Sequence, residues 1–146
     1  MNTNAYTIYD STGKIISVFV TSDLTQVNQN INTDLYISGN YSGNEYYIEN
    51  QQPVKIPNDP SSNLLKYVFD YNTKTWLIDL EKTTNNVRTE RNSRLSEIDQ
   101  VNGIRFAMLS EEQKQQLIAY RQALLDVPQQ AGFPITVVWP TKPDWL

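Results

Sequence analysis

The chain has 146 residues, of which 39% are hydrophobic and 19% are charged, and its formal net charge is −4. This composition predicts a globular chain of one ordinary domain or two small ones, with enough apolar residues for a modest core. The acidic balance argues against a general nucleic-acid binder, because neutralising phosphates requires an excess of Lys and Arg on some face.

The sequence contains neither cysteine nor histidine. Zinc sites, disulfides, thiol nucleophiles and imidazole acid–base chemistry are therefore excluded. The first residues lack the basic start and apolar run of a secretion signal, and no segment approaches the roughly 20 apolar residues of a membrane span. We therefore expect a protein that is made and retained in a cytoplasm, without membrane insertion.

The first half of the chain predicts short strands separated by turns. Residues 6–9 and 15–20 form a hairpin around a turn that contains Gly13. Further strands are predicted at 35–37, 46–48, 53–57, 66–70 and 75–78. The segment 53–57 is expected at a sheet edge, because each of its prolines removes a ladder donor. Together these segments predict a small antiparallel sheet domain.

A brief helix is predicted to follow the first hairpin. Ser22 can cap it, and Leu24, Val27 and Ile31 then fall on one side at spacings of three and four. Such a helix would cover one face of the small sheet.

From Leu80 onward the apolar spacing lengthens from two towards three and a half, which predicts a helix. The stripe consists of Leu80, Thr84, Val87, Arg91, Leu95 and Ile98. Its two polar positions favour a helix that projects from or lies across the sheet domain. The alternative is a self-associating coiled coil, which would make the protein a homo-oligomer. Asn102-Gly103 is read as the helix stop, and residues 104–109 are expected to pack beneath both helices.

The only basic cluster lies on this first helix. It consists of Arg88, Arg91 and Arg94, interleaved with Glu90 and Glu97. Alternating charges of this kind are typical of a solvated helix face.

A second helix is predicted to begin at Ser110, which with Gln113 forms a capping box, and to end before Pro128. Its buried side is expected to hold Leu117, Ile118, Tyr120, Arg121, Leu124 and Leu125. Arg121 is expected to contact a carboxylate such as Asp99 or Asp126. After a turn at Gly132, residues 135–138 are read as extended, so that two antiparallel helices form a hairpin with a strand-like tail.

No cofactor-binding or catalytic motif is recognisable in the sequence. It lacks the glycine patterns of phosphate loops and the acidic pattern of a calcium loop. Asp70 and Asp79 close predicted hairpin strands and are read as turn formers. Hydrolysis by a carboxylate pair stays open as a third reading, but no pair is marked out by an apolar environment. We expect no catalysis, no cofactor and no metal.

Two groups of aromatic residues are candidates for binding a partner. Tyr41, Tyr46 and Tyr47 flank a glycine-rich turn and could stack on a sugar or a protein, the alternative being cross-strand packing within the sheet. Phe133, Trp139 and Trp145 stand next to prolines, so the backbone that carries them would lose little entropy on docking. The alternative for Trp139 is that it closes the core against Tyr120 and Leu124.

The C-terminal motifs occur in a recognisable order. Tyr-Arg-x-x-Leu at 120–124 leads into Asp-x-x-x-x-x-Gly-Phe-Pro at 126–134 and Trp-Pro-x-x-Pro at 139–143. This order resembles the C-terminal region of tail fibre assembly and tail assembly chaperone proteins of tailed bacteriophages. The first half, with its closing Phe69 to Trp76 hairpin, is similar to modules that open many such proteins.

The resemblance implies a function in phage tail assembly. The expected molecule is α+β, with a β-rich domain at 1–79 and a helical hairpin with an aromatic-proline tail at 80–146. It would bind a tail fibre or other tail protein in the bacterial host cytoplasm and promote its folding or oligomerisation without catalysis. The alternative is a permanent virion component, such as a tail, baseplate or fibre-tip protein that reads a receptor.

Overall fold

The computed structural model describes residues 4–26 and 35–146. The strands are β1 (Asn4–Tyr9), β2 (Ile15–Thr21), β3 (Tyr36–Ser38), β4 (Tyr46–Glu49), β5 (Gln52–Lys55), β6 (Tyr67–Asp70) and β7 (Thr75–Ile78). The helices are α1 (Leu80–Asp99), α2 (Gly103–Met108) and α3 (Glu111–Leu125), with 3-10 turns at Leu24–Gln26 and Val127–Gln129. Strands thus precede helices along the chain, and the predicted α+β class is confirmed.

The described residues form two compact units, which are considered separately. The first contains the chain up to Asp59 together with Phe69–Trp76, and the second contains Pro60–Val68 and Leu77–Leu146. Residues 60–68 group with the helices because Thr83 of α1, which is fully buried, accepts a hydrogen bond from Lys66 N (3.0 Å). A separate domain at 1–79 stays a prediction.

The first unit is built from antiparallel strands. β1 lies at the centre of a three-stranded sheet in the order β2-β1-β3, while β4 pairs with β5 and β6 with β7. The predicted strand at 53–57 is found as β5, at the edge of its two-stranded sheet. Of the predicted helix after β2, only the 3-10 turn Leu24–Gln26 is described, and the positions of Val27 and Ile31 lie outside the described residues.

The core of the first unit is aromatic. Phe69 is buried, and its ring lies 5.7 Å from that of Tyr47, 5.1 Å from Tyr71 and 5.4 Å from Trp76. Edge-on arrangements at these distances are favourable for aromatic rings. The closing hairpin therefore contributes Phe69, Tyr71 and Trp76 to the aromatic packing of this unit.

Helix α1 is capped by Asp79, whose side chain accepts a hydrogen bond from Lys82 N (2.9 Å). The interpretation of Asp79 as a turn former was therefore wrong: this residue caps a helix, because its carboxylate lies next to free N–H groups of the first turn. Asp70 does form a turn, accepting a hydrogen bond from Asn72 N (2.9 Å).

The predicted stop at Asn102-Gly103 is instead a helix start. Helix α1 ends at Asp99, and Asn102 caps α2 by accepting a hydrogen bond from Arg105 N (2.9 Å). Helix α2 does not lie wholly beneath the other helices, because Ile104 is 78% exposed and Met108 is 83% exposed. Phe106 and Leu109, on its other side, do pack against the core.

Helix α3 starts at the predicted capping box. Ser110 accepts a hydrogen bond from Gln113 N (3.1 Å), and the Gln113 side chain accepts one from Ser110 N (3.0 Å). Leu117, Tyr120 and Leu124 are buried as predicted. Ile118, Arg121 and Leu125 are exposed, because each lies one position, or about 100°, further round the helix.

The C-terminal segment contains turns where an extended strand was predicted. Pro128 lies in the 3-10 turn after α3, and the Phe133–Pro134 peptide bond is cis. Thr136 N donates to Gly132 O (2.7 Å), which closes a turn, and no residue of 135–138, all of them described, is in a strand. The β-branched residues there lack a partner strand.

Candidate protein-binding site

The core of the second unit joins the two long helices to the end of the chain. Its buried cluster consists of Ile98 on α1 with Leu117, Tyr120 and Leu124 on α3. Trp139, Trp145 and Leu146 are partly buried against this cluster. The last ten residues, 137–146, thus lie as a strap over the two helices, and we call this segment the strap.

Trp139 is fixed to α1 by a cation. The guanidinium carbon of Arg94 lies 4.4 Å from the centre of the Trp139 ring, and Arg94 Nε donates to Glu90 Oε1 (2.9 Å). The carboxylate therefore orients the guanidinium over the ring face, where the cation is attracted by the ring quadrupole. Arg94 was expected to belong to a solvated helix face, but it binds the strap.

Two further side-chain contacts attach the strap to the helices. Lys142 Nζ lies 2.7 Å from Glu97 Oε2 on α1, and Trp145 Nε1 donates to Gln116 Oε1 on α3 (2.6 Å). The hydrogen bond from Lys142 and its positive charge hold the pKa of the Glu97 carboxyl below its ordinary value. The strap therefore touches both helices at its far end.

An open groove of about 550 Å³ lies between α3 and the strap. It is lined on the helix side by Gln116, Ala119, Tyr120 and Ala123, and on the other side by residues 140–145. The two alanines leave room that larger side chains would fill. We call this space the groove.

A second, smaller space lies on the other side of Trp139. Its volume is about 200 Å³, and its lining is mainly apolar: Ser62, Leu64, Leu65, Val87, Pro134, Ile135, Val137 and Trp139. Trp139 thus stands at the edge of one cavity while the residues after it line the other. The strap covers the two helices but does not pack closely against them.

The predicted partner-binding residues fall into the two units. Tyr41 and Tyr46 are half-buried in the first unit, with their rings edge-on at 5.5 Å, whereas Tyr47 is only 8% exposed and has Lys74 Nζ 4.8 Å above its ring. In the second unit Phe133 is half-buried in the turn before the strap. Trp139 and Trp145 belong to the strap itself, so the interpretation of Trp139 as closing the core applies at least in part.

Arg121 does not make the expected contact. It is exposed, and in the described part of the chain neither Asp99 nor Asp126 is hydrogen-bonded or ion-paired to it. Asp126 Oδ1 instead accepts a hydrogen bond from Gln122 Nε2 (2.9 Å). The predicted contact of Arg121 with a carboxylate was therefore wrong, because Gln122, one turn from Asp126 on the same helix face, takes this place.

Several residues of this site were missed from the sequence. Glu97, Gln116 and Lys142 carry no motif, and only their contacts in the folded chain bring them together. Ala119 and Ala123 could have been recognised, since small residues spaced four apart on one helix face allow close approach of another segment.

Three aspartate carboxyl groups have structural roles in turns. Hydrogen bonds from turn hydroxyl and N–H groups lower the pKa of Asp10, Asp23 and Asp70. Among residues 4–26 and 35–146, no three His, Cys, Asp or Glu side chains are arranged to hold a metal ion. In the same part of the chain, no helix combines the length and apolarity that crossing a bilayer requires.

An α+β chain with an open, mainly apolar groove formed by a helix and a proline-containing segment has the geometry of a protein-binding protein. Residues 84–144 match the model of the family described as phage tail assembly chaperone protein. This match confirms the resemblance of residues 84–144 to the tail assembly chaperones of tailed phages.

The matched segment begins within α1 and contains most of the strap and all residues that line the groove except Trp145, whereas residues 1–83 lie outside it. Comparison with curated proteins and with solved structures gives no significant match.

Proposed function

We propose that this protein is a chaperone that binds a tail fibre or another tail protein in the host cytoplasm and promotes its folding or oligomerisation without catalysis. Fibre segments have exposed strand edges and apolar surfaces that aggregate before they are assembled. A protein that covers such a segment until its partner arrives would prevent that aggregation.

The groove is the observation that carries this proposal. All of its lining residues except Trp145 lie within the matched segment, and it presents apolar surface from Tyr120, Pro140 and Trp145 beside the two alanines. The one lysine of its lining, Lys142, is already paired with Glu97. The occupant that fits this surface is an apolar side chain on an extended segment of the tail protein.

The aromatic residues extend the proposed contact. Trp145 lines the groove, Trp139 lies within the strap and Phe133 lies just before it, and all three would contact the tail protein. Tyr41 and Tyr46 would form a separate contact in the first unit. Tyr47 is buried against Phe69, so it would support the tyrosine loop and contribute little surface of its own.

The proposal is tested by co-expressing the chain with candidate fibre and tail proteins of the same phage and measuring the yield of soluble, native oligomer. Ala119→Arg places a long charged side chain in the groove, whereas the matched Ala107→Arg adds it to an exposed position of α2 outside the groove. We expect Ala119→Arg to reduce the yield to that without the chaperone and Ala107→Arg to behave as wild type.

Three outcomes would contradict parts of the proposal. If the wild-type chain raises the yield of no fibre or tail protein, the chaperone function is wrong. If Ala119→Arg remains fully active, the groove is not the binding site. If washed virions contain the chain at fixed stoichiometry, it is a permanent structural component and not a chaperone that leaves.

A further inference from the structure

The strap is attached to the helices through side chains alone. Among the described residues, the only backbone–backbone hydrogen bond that involves the strap runs from Leu146 N to Pro143 O (3.1 Å), within the strap itself. Pro140 and Pro143 have no N–H to donate. No ladder or helix hydrogen bond has to break when this segment moves away from α1 and α3.

The side-chain contacts are exposed to water. The Lys142 and Glu97 side chains keep 45% and 47% of their surface exposed, and the hydrogen bond from Trp145 to Gln116 is also exposed. Exposed ion pairs gain little over solvation of the separate charges and are screened by salt. These contacts position the strap without fixing it strongly.

The strap also packs poorly on what it covers. The smaller cavity lies beside Trp139 and the groove beside residues 140–145, whereas protein interiors are normally filled. Atoms that line a void lack contacts on one side and lose their dispersion energy. Lifting the strap therefore costs less than removing a well-packed segment of the same length.

The strap has a defined point about which it can turn. The side-chain amide of Gln130 donates to Val138 O (2.8 Å) and accepts from Val138 N (2.9 Å). These two hydrogen bonds hold the start of the strap to the turn after α3. Residues 139–146 can then move as one segment while Val138 stays in place.

We propose that the strap is a detachable cover: it is closed in the free protein, and an apolar segment of the tail protein displaces it. Its movement uncovers the apolar side chains of Ile98, Leu117, Tyr120 and Leu124. The identity of the occupant rests on the proposed function, whereas the opening itself is a property of the isolated chain.

Opening is measured first without any partner. Trp76→Phe leaves Trp139 and Trp145 as the only tryptophans, both in the strap. We expect acrylamide quenching of their fluorescence to rise at least about twofold between low salt and about 1 M salt, where the Debye length is only about 3 Å. Glu97→Gln should raise the quenching already at low salt, while far-UV circular dichroism stays unchanged.

A covalent restraint provides the closed reference. Because the chain has no cysteine, Glu97→Cys with Lys142→Cys can be joined selectively by a short bis-maleimide. We expect low, salt-independent quenching for the joined protein. When the pair is left unjoined, quenching should be high already at low salt, as in Glu97→Gln, because the ion pair is missing. Equal quenching in the wild type, in Glu97→Gln and in the joined protein at every salt concentration would overturn the detachable cover.

The link to the partner is tested with the tail protein that the wild-type chain makes soluble. We expect the joined protein to lose at least about tenfold in affinity for it, or about 1.4 kcal/mol. If the joined protein binds as well as the unjoined one, displacement by the partner is wrong although the proposed function stands. If no tail protein responds to the wild type while the strap still opens with salt, the proposed function fails and the opening stands.

Discussion

The guanidinium carbon of Arg94 on α1 lies 4.4 Å from the ring centre of Trp139 in the strap. This contact joins the basic cluster to the aromatic C-terminal segment, two features that are unrelated in the sequence. Glu90 holds the Arg94 guanidinium in one orientation, in which it faces the Trp139 ring.

Replacing Arg94 tests the strength of this contact. Arg94→Gln should lower the free energy of unfolding by about 1 kcal/mol, because the loss of a partly exposed cation–π contact costs this amount. The control Arg88→Gln removes an exposed charge from the same helix and should change it by less than about 0.5 kcal/mol. Urea denaturation of the full chain measures both, and equal values for the two variants would contradict the contact.

Leu124 and Leu125 are neighbours with opposite environments. Leu124 is 0% exposed in the core and Leu125 is 36% exposed. Leu124→Ala should lower the free energy of unfolding by about 3 kcal/mol, since it removes buried methyl groups and leaves a cavity. Leu125→Ala should cost less than about 1 kcal/mol. A larger loss for Leu125→Ala would mean that α3 is rotated relative to the structure described.

The capping box at Ser110 should be measurable by itself. Ser110→Ala leaves Gln113 N without its acceptor and should lower the free energy of unfolding by about 1 kcal/mol. Ser96→Ala, within α1, is the control, and it should cost nothing because alanine is the better helix former. Thermal unfolding followed by circular dichroism distinguishes the two, and an unchanged transition for Ser110→Ala would argue against the cap.

Gly13 and Gly103 should respond in opposite directions to alanine. Gly13 has φ +82°, and a Cβ there would lie 2.0 Å from Ile48 O, whereas a Cβ at Gly103 meets nothing within 4 Å. We expect Gly13→Ala to cost at least about 2 kcal/mol. Gly103→Ala should stabilise by about 0.5 kcal/mol through lower entropy of the unfolded chain. Chemical denaturation that ranks the two variants equally would contradict the close approach of β4 to the first turn.

The pH dependence of the strap follows from Glu97. Its pKa is lowered from an ordinary value of 4.5, so its ion pair contributes fully above that pH and is lost as the pH falls through the folded-state pKa. In the Trp76→Phe protein, quenching of the strap tryptophans should rise as the pH falls below 4.5. Glu97→Gln should abolish this rise, whereas Asp70→Asn, whose carboxyl also has a lowered pKa, should retain it.

The sequence could predict those parts of the fold that depend on interactions between neighbouring residues. The capping box at Ser110, the edge strand with its prolines, the turn at Asp70 and the buried side of α3 all depend on residues within one helical turn or one hairpin. The order of short motifs from Tyr120 to Pro143 also sufficed to indicate the family, because it needs no knowledge of contacts.

The errors arose where the outcome depends on distant partners. Asn102-Gly103 is compatible with either the end or the start of a helix, and the packing of Phe106 decides for a start. Residues 135–138 have a high β-propensity but no neighbouring strand, and propensity alone does not satisfy backbone hydrogen bonds. Arg121 follows the buried Tyr120, yet it points to solvent on the folded helix.

The sequence by itself determined the fold class of this protein, the exclusion of cysteine and histidine chemistry, the helix cap at Ser110 and the family that residues 84–144 resemble. Only the tertiary structure decided that Arg94, Glu97 and Gln116 hold the strap, and that space remains beneath it. The reason is physical: caps and turns are set by neighbours in sequence, whereas a groove is set by how closely two segments that are distant in sequence can fill the space between them.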